Sequence, residues 1–254
     1  MNKQISQEII DKLLNKPTKI FEKFHEETKI KANPKQNKSR KIPDAWKTIF
    51  YKSYPRLPQI FLPAPKKIIL PLMTALKNRR SSRNFGKKPI TLEELSTLFY
   101  FTSGLNNSKT GSRFYPSAGG RYPIESYVIS LNTELSPGLY HYQIKSHALE
   151  LLVPFKNFKI SKYFVDSSLI NRAACVVLFC AVFERTTQKY GSRGYRHILI
   201  ETGCMLEIAY VMAGALSFNI CAVGGYKDDQ LHSLLDIDGL HEAITGVFVF
   251  GHKT

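Results

Sequence analysis

From Tyr195 to Leu216 the chain places apolar residues on nearly every face that a helix could present. Such a stretch is stable only when enclosed, by a sheet on one side and by further helices, of this chain or of a second subunit, on the other. From Ile198 onward it is also long enough to suggest a membrane span, but Glu201 and Glu207 interrupt it. Carboxylates are costly in lipid, so a buried core helix is the expectation. Just upstream, Ala173 to Phe183 is an unbroken run of strand-forming apolar residues, which places it centrally in a sheet. The nonapeptide Gln188 to Arg196 joins these two runs. It offers two arginines for an anion, a lysine and two tyrosines for proton transfer, and two glycines for a tight turn. On these residues alone a solvated basic turn fits as well.

The remaining pattern supplies what could enclose that pair. Residues 3 to 31 carry apolar positions at helical spacing and predict two short helices broken near Pro17. From Asn33 to Lys67, six prolines and many lysines predict an extended arm. Trp46, Phe50, Tyr51, Tyr54, Ile60 and Phe61 make that arm too apolar for a linker in water, so it should be pinned to the body or to a second subunit. A helix from Pro71 to Asn78 precedes a second one, opened by a capping box of Thr91 and Glu94, running through Phe101 and burying Leu92, Leu95, Leu98 and Phe99. Asn106 to Arg113 reads as a polar loop and Glu125 to Leu131 as a strand, followed by a hairpin of Gly138–Tyr142 and Ala148–Leu152. Asn219 to Val223 is a further strand, Leu231, Leu234 and Leu235 mark a helix, and Ile244 to Gly251 closes the chain as a strand. Strands interleaved with helices, with one meander, predict an α+β fold on a mixed sheet. The expected division is a basic helical and extended arm over residues 1–67 and one domain over 68–254.

Charge separates these parts. Residues 1 to 90 hold 22 Lys and Arg against 6 Asp and Glu, whereas residues 91 to 254 hold 14 of each, so the whole net charge of +16 lies in the first third. Nucleic acid is not the expected partner: the lysines are scattered among Pro, Phe and acidic residues, with no zinc-finger spacing or RNA-binding signature. An acidic protein or peptide, or solubility alone, accounts for the excess. The four cysteines lie in apolar runs with no CxxC pair, and no signal peptide opens the sequence, so reduced, buried thiols in the cytoplasm are expected. The seven histidines form no HExxH or short-spaced cluster, and no metal site is expected.

Two further stretches suit a ligand. Arg79-Arg80-Ser81-Ser82-Arg83-Asn84-Phe85 sets three guanidinium groups around two hydroxyls, a cradle for a phosphate or an electron-rich ring. Tyr115-Pro116-Ser117-Ala118-Gly119-Gly120-Arg121-Tyr122-Pro123 lets backbone approach a flat ligand closely, with N–H groups and the Ser117 hydroxyl as donors; a tight structural turn is the alternative. With Lys189-Tyr190-Gly191-Ser192-Arg193-Gly194-Tyr195-Arg196 and Gly224-Gly225-Tyr226, these motifs span about 150 residues in order. In them the chain resembles the flavin-dependent dehydrogenases of azole-containing peptide biosynthesis, the microcin- and streptolysin-type members of the nitroreductase superfamily.

The resemblance implies a nitroreductase-like α+β fold, a mixed, mainly antiparallel sheet flanked by helices around a long buried central helix. It implies a homodimer with two FMN sites, each built from both chains. Arg79, Arg80, Ser81 and Arg83 would hold the flavin phosphate and the polar edge of the ring. Pro116, Ser117, Ala118, Gly119 and Gly120 would line the ring from the partner subunit, and Gly224 and Gly225 would face its other side. Lys189 and Tyr190 match the family's catalytic pair, and Arg193 and Arg196 would sit near the phosphate. Two departures stand out: Glu207-Ile208 replaces the family's Gln-Asn, removing an amide, and Arg121 replaces a usual apolar residue. The implied activity is oxidation of thiazolines and oxazolines in a ribosomally made peptide, alongside a cyclodehydratase (YcaO-type) partner, with dioxygen reoxidising the flavin since no GxGxxG motif is present. A general nitroreductase or flavin reductase and a non-catalytic basic scaffold are the rival readings.

Overall fold

The computed structural model describes residues 19–30, 43–44 and 48–254 of the chain. By internal contacts the chain divides into Met1–Ile42 and Pro43–Thr254. In the first unit the described residues form helix α1, Ile20–Glu27, whose N-terminus is closed by the Glu22 carboxylate accepting from the Lys19 N–H at 2.8 Å. This is the second of the two helices expected there; the first, together with Asn33 to Ile42 and Trp46 of the arm, lies outside the described residues.

The second unit is built on a seven-stranded sheet. Its strands are β1 (Gln59–Phe61), β4 (Ile124–Ser130), β5 (Gly138–Gln143), β6 (Ala148–Pro154), β7 (Cys175–Val182), β8 (Phe218–Ala222) and β9 (Glu242–His252), in the order β1-β6-β5-β4-β7-β9-β8. Every ladder in it is antiparallel, and among the described residues parallel pairing is confined to the single bridges Ser81–Ile220 and Ile90–Thr133. The expected hairpin is β5–β6, and the apolar run from Ala173 lies in the middle as β7.

That run is apolar throughout because both of its faces are covered. Val177, Phe179 and Ala181 point into a cluster with helices α3 (Leu92–Ser103) and α6 (Gly194–Ala215), through Leu95, Leu98, Ile198, Met205 and Ala213. Val176, Leu178 and Cys180 point the other way, toward α4 (Ser167–Arg172) and α7 (Asp228–Leu235), through Ile170, Leu231 and Leu235. The capping box of α3 is in place, with the Thr91 N–H donating to Glu94 Oε2 at 2.9 Å and the Glu94 N–H to Thr91 Oγ1 at 3.2 Å. Helix α2 (Leu72–Asn78) ends as the arginine-rich segment begins.

One expected loop is structured. Asn106 to Arg113 forms a small hairpin of β2 (Leu105–Asn107) and β3 (Ser112–Arg113). Its turn closes because Asn107 Oδ1 accepts from the Lys109 and Thr110 N–H groups and Gly111 takes φ 72°, a conformation glycine adopts without steric cost.

The described part of the arm, from Thr48, is pinned to the body. β1 extends the sheet edge beside β6. Ahead of it, the Lys52 N–H donates to Glu125 Oε1 at 3.2 Å and the Tyr54 N–H to Glu150 Oε1 at 2.9 Å. Both carboxylates are buried, and between them stands buried His141, 3.3 Å from Glu125 and 2.8 Å from Glu150. The two carboxylates raise the His141 pKa against the opposing effect of burial, and Arg185 completes the balance at 2.5 Å from Glu125. The ions therefore satisfy one another inside the fold, the condition under which charge is tolerated there.

Candidate functional site

The motif residues gather in two clusters, disposed toward opposite ends of α6. Glu201 and Tyr210, one in each cluster, are nine residues apart, about 14 Å along a helix axis.

The first cluster lies where helix α5 (Glu184–Tyr190) meets the glycine-rich loop. Consecutive helical side chains normally diverge by about 100°. Here Tyr190 leaves helical geometry at φ −112°, ψ 2°, and Gly191 follows at φ 57°, so Lys189 and Tyr190 face the same place. That place is Gly119: a Cβ built on it would lie 2.6 Å from both Lys189 Nζ and Tyr190 OH. Lys189 Nζ stands 5.3 Å from the centre of the Tyr190 ring, whose own edge contact is with His197. Gly119 has φ 63° and Gly120 φ 65°, so the turn depends on glycine at these positions.

Beneath the loop lies a group that the sequence motifs do not announce. Ser117 Oγ accepts from the Tyr122 N–H at 2.8 Å and donates to Glu201 Oε2 at 2.7 Å. Glu201 is only 2% exposed, and its other oxygen has no partner among the described residues. Burial pushes its carboxyl up to about 8, over the opposing effects of Ser117, Arg113 and the Ala118 N–H. At neutral pH the carboxyl thus holds a proton. The buried Tyr115 hydroxyl also lacks a partner among the described residues, and burial, followed by the nearby Glu201, raises its pKa.

The second cluster holds the arginine-rich segment. Ser81 bridges to Ile220 of β8, and the Ser82 N–H donates to the Ile220 carbonyl at 2.8 Å. Tyr210 of α6 ties this segment to the strand end: its hydroxyl lies 3.1 Å from Ser81 Oγ and accepts from the Ala222 N–H at 2.8 Å. The Arg79 guanidinium lies over the Tyr210 ring at 6.0 Å, and Arg80 and Arg83 are exposed. None of these three arginines pairs with a carboxylate among the described residues. Just past β8, Gly224 is exposed with open space where a side chain would stand, while Gly225 packs against Val165.

Arg193 and Arg196 are half-buried at the junction, each with an interaction partner. Ile208 packs against the main core and Glu207 is exposed, so the family amide is replaced by an apolar contact. The polar tie on this helix comes two residues later, from Tyr210. Glu201 had one sequence signal, a carboxylate inside an apolar helix, which bore on the membrane question but not on the site. Tyr210 had none, because a tyrosine among apolar residues reads as core.

Residues 76–252 match the nitroreductase family, and the chain belongs to it: an oxidoreductase of the nitroreductase superfamily. Among its relatives, a Methanocaldococcus jannaschii protein described as a nitroreductase is 31% identical over 65% of this chain and 84% of its own length. The microcin B17-processing protein McbC of Escherichia coli is 32% identical over 50% of this chain and 49% of its own, so this chain matches only about half of that relative. A chain of the solved Escherichia coli microcin synthetase McbBCD complex, with truncated pro-MccB17 bound, has the same fold at TM-score 0.61 and 24% identity, over 91% of this chain and 86% of that one.

One consequence concerns stability alone. Gly119→Ala forces a side chain into the left-handed region and against two polar groups. Denaturant unfolding is expected to register a loss of about 1–2 kcal/mol. An unchanged midpoint would mean that the loop relaxes without cost.

Proposed function

We propose that this protein is an FMN-dependent dehydrogenase that oxidises thiazoline or oxazoline rings of a ribosomally made peptide to thiazoles or oxazoles. The observation that carries the reading is the convergence of Lys189 Nζ and Tyr190 OH on one glycine of the Pro116–Gly120 loop. Members of the nitroreductase family bind flavin, and the residues present fit such a group. Gly224 leaves open space for a flat ring, Gly119 lets the Lys189 amine and the Tyr190 phenol close against the loop, and Arg79, Arg80, Ser81 and Arg83 offer cationic and hydroxyl donors without competing carboxylates among the described residues. When bound, FMN would supply a ring that accepts hydride.

The chain's own part is proton transfer and placement. Aromatising an azoline removes the α-hydrogen as a proton and the β-hydrogen with its electron pair. Lys189 as the neutral amine, or Tyr190 as the phenolate, would take the α-proton, and both side chains reach the same point above Gly119. Pro116, Ser117, Ala118 and Gly120 shape the wall around it. Gly225 supports Gly224 along the opposite edge, and Arg193 and Arg196 would add positive charge near the phosphate.

A second copy completes the site in this reading. The clusters lie toward opposite ends of α6, and apolar side chains stand exposed on the N-terminal half of α6 and on α2: Leu199, Ile200, Leu72, Met73 and Leu76. An apolar face of that extent suits a homodimer interface. The further partners proposed are a cyclodehydratase, which makes the azoline, and the precursor peptide, with the basic first third as the docking region and the cytoplasm as the setting.

Purified protein is expected to be yellow, with flavin absorbance bands released as FMN on denaturation, and to remove two hydrogens per azoline ring from a cyclised peptide by mass. A colourless protein that binds no added FMN would overturn the cofactor assignment. A second reading, a nitroreductase or flavin reductase, is favoured by the Methanocaldococcus jannaschii relative. It requires rapid NAD(P)H oxidation by the isolated protein, and its absence from a flavin-loaded sample decides for the azoline reading.

A further inference from the structure

Arg121 follows the glycine turn directly and is buried, 1% exposed, despite its charge. A guanidinium is rarely enclosed unless its donors are used. Two of them are. Nε donates to the Arg185 carbonyl at 2.7 Å, in the first turn of α5, and Nη1 donates to the Thr48 carbonyl at 3.0 Å, in the arm. The third nitrogen, Nη2, is buried without a partner among the described residues. One side chain thus joins three segments that are far apart in sequence.

Arg185 is itself held twice more. Its Nη1 pairs with Glu125 at 2.5 Å and donates to the Tyr122 carbonyl at 3.4 Å. Glu125 also accepts the arm's Lys52 N–H and faces His141. Arg185 stands one helical turn before Lys189, so fixing it fixes the short helix that ends in Lys189 and Tyr190. The Tyr190 phenol lies within electrostatic reach of the Arg121 guanidinium. Loop, helix and arm are therefore clamped within one turn of the place where Lys189 and Tyr190 meet Gly119.

We infer that Arg121 is a positioning residue: its guanidinium, bridging the Arg185 and Thr48 carbonyls, sets α5 against the glycine loop and thereby aims Lys189 and Tyr190. The inference deepens the azoline-dehydrogenase reading and rests on it for its kinetic arm only. A displacement of about 1 Å at such a pair can lower turnover about 100-fold. The apolar residue usual at this position in the resembling family cannot make these bonds. In this chain the arm and the helix are coupled through the loop.

The test uses the full-length, flavin-loaded protein and two variants, Arg121→Met, which keeps length and loses all donors, and Arg121→Lys, which keeps one. For Arg121→Met, hydrogen exchange of residues 184–190 is expected to quicken at least about 10-fold while residues 194–215 stay protected. Azoline turnover should fall 10- to 100-fold in kcat, with KM within about twofold and flavin content unchanged. Arg121→Lys should recover part of kcat. Unchanged exchange and kcat in Arg121→Met would overturn the inference, as would a kcat loss matched by an equal loss of flavin and of cooperative melting. If Arg121→Met fails to fold, Arg121→Gln decides on the same criteria. If the wild-type protein does not oxidise azolines, the reaction assignment fails, while the exchange measurement still tells whether Arg121 holds α5.

Discussion

Replacing Lys189 with alanine, or Tyr190 with phenylalanine, is expected to lower azole formation by about 10²- to 10⁴-fold while the purified protein stays yellow. The reason is geometric. Both polar atoms would lie 2.6 Å from a Cβ at Gly119, so the amine and the phenol stand together at one point of the loop, where a single substrate ring can meet both. Neither side chain supports the core: both are half-exposed at the end of α5, and neither belongs to the buried clusters. Their loss should therefore leave unfolding midpoints within about 0.5 kcal/mol of wild type, the usual range for surface substitutions away from special features. Normal turnover in both variants, measured as hydrogens lost per ring by mass spectrometry, would sink the assignment.

The parts of this arrangement that were legible in the sequence share a physical cause. β7 was readable because a strand covered on both faces has no polar side to show, and α3 because its capping box uses two side chains three residues apart. Lys189, Tyr190 and Gly119 were nominated by motif, and the fold brings them together across 70 residues of chain. What was not legible depends on long-range burial. Glu125, His141 and Glu150 read as ordinary alternating strand residues, yet they form a buried ionic centre that anchors residues of the arm 73 and 96 positions away. The compact unit consequently begins at Pro43 and takes in the later part of the predicted arm. The small hairpin at Leu105–Arg113 was missed because its strands are too short to alternate, and the side chain that closes its turn, Asn107, also reads as loop.

Glu201→Gln is expected to make the protein more stable than wild type at alkaline pH and no more stable at mildly acidic pH. In the wild-type protein burial raises the Glu201 carboxyl from 4.5 to about 8. The folded state therefore keeps a proton that the unfolded chain releases as pH climbs past 4.5. Stability from this group is fully present below the unfolded value, declines as pH rises through the interval, and levels off above about 8. At about 1.4 kcal/mol per pH unit, the decline over the interval is about 5 kcal/mol. Glutamine has nearly the same shape, accepts from Ser117 through its carbonyl and carries no titrating proton, so its curve lacks this slope. His141, whose pKa the two carboxylates raise, also loses stability as pH rises, but it does so in both proteins and cancels in their difference. Urea unfolding at pH 5, 7 and 9 should give a difference in favour of the Glu201→Gln variant that grows from near zero to several kcal/mol. A difference that stays flat with pH would mean that the carboxyl is ionised in the fold, and the floor beneath Ser117 and Gly119 would then carry a negative charge rather than a proton.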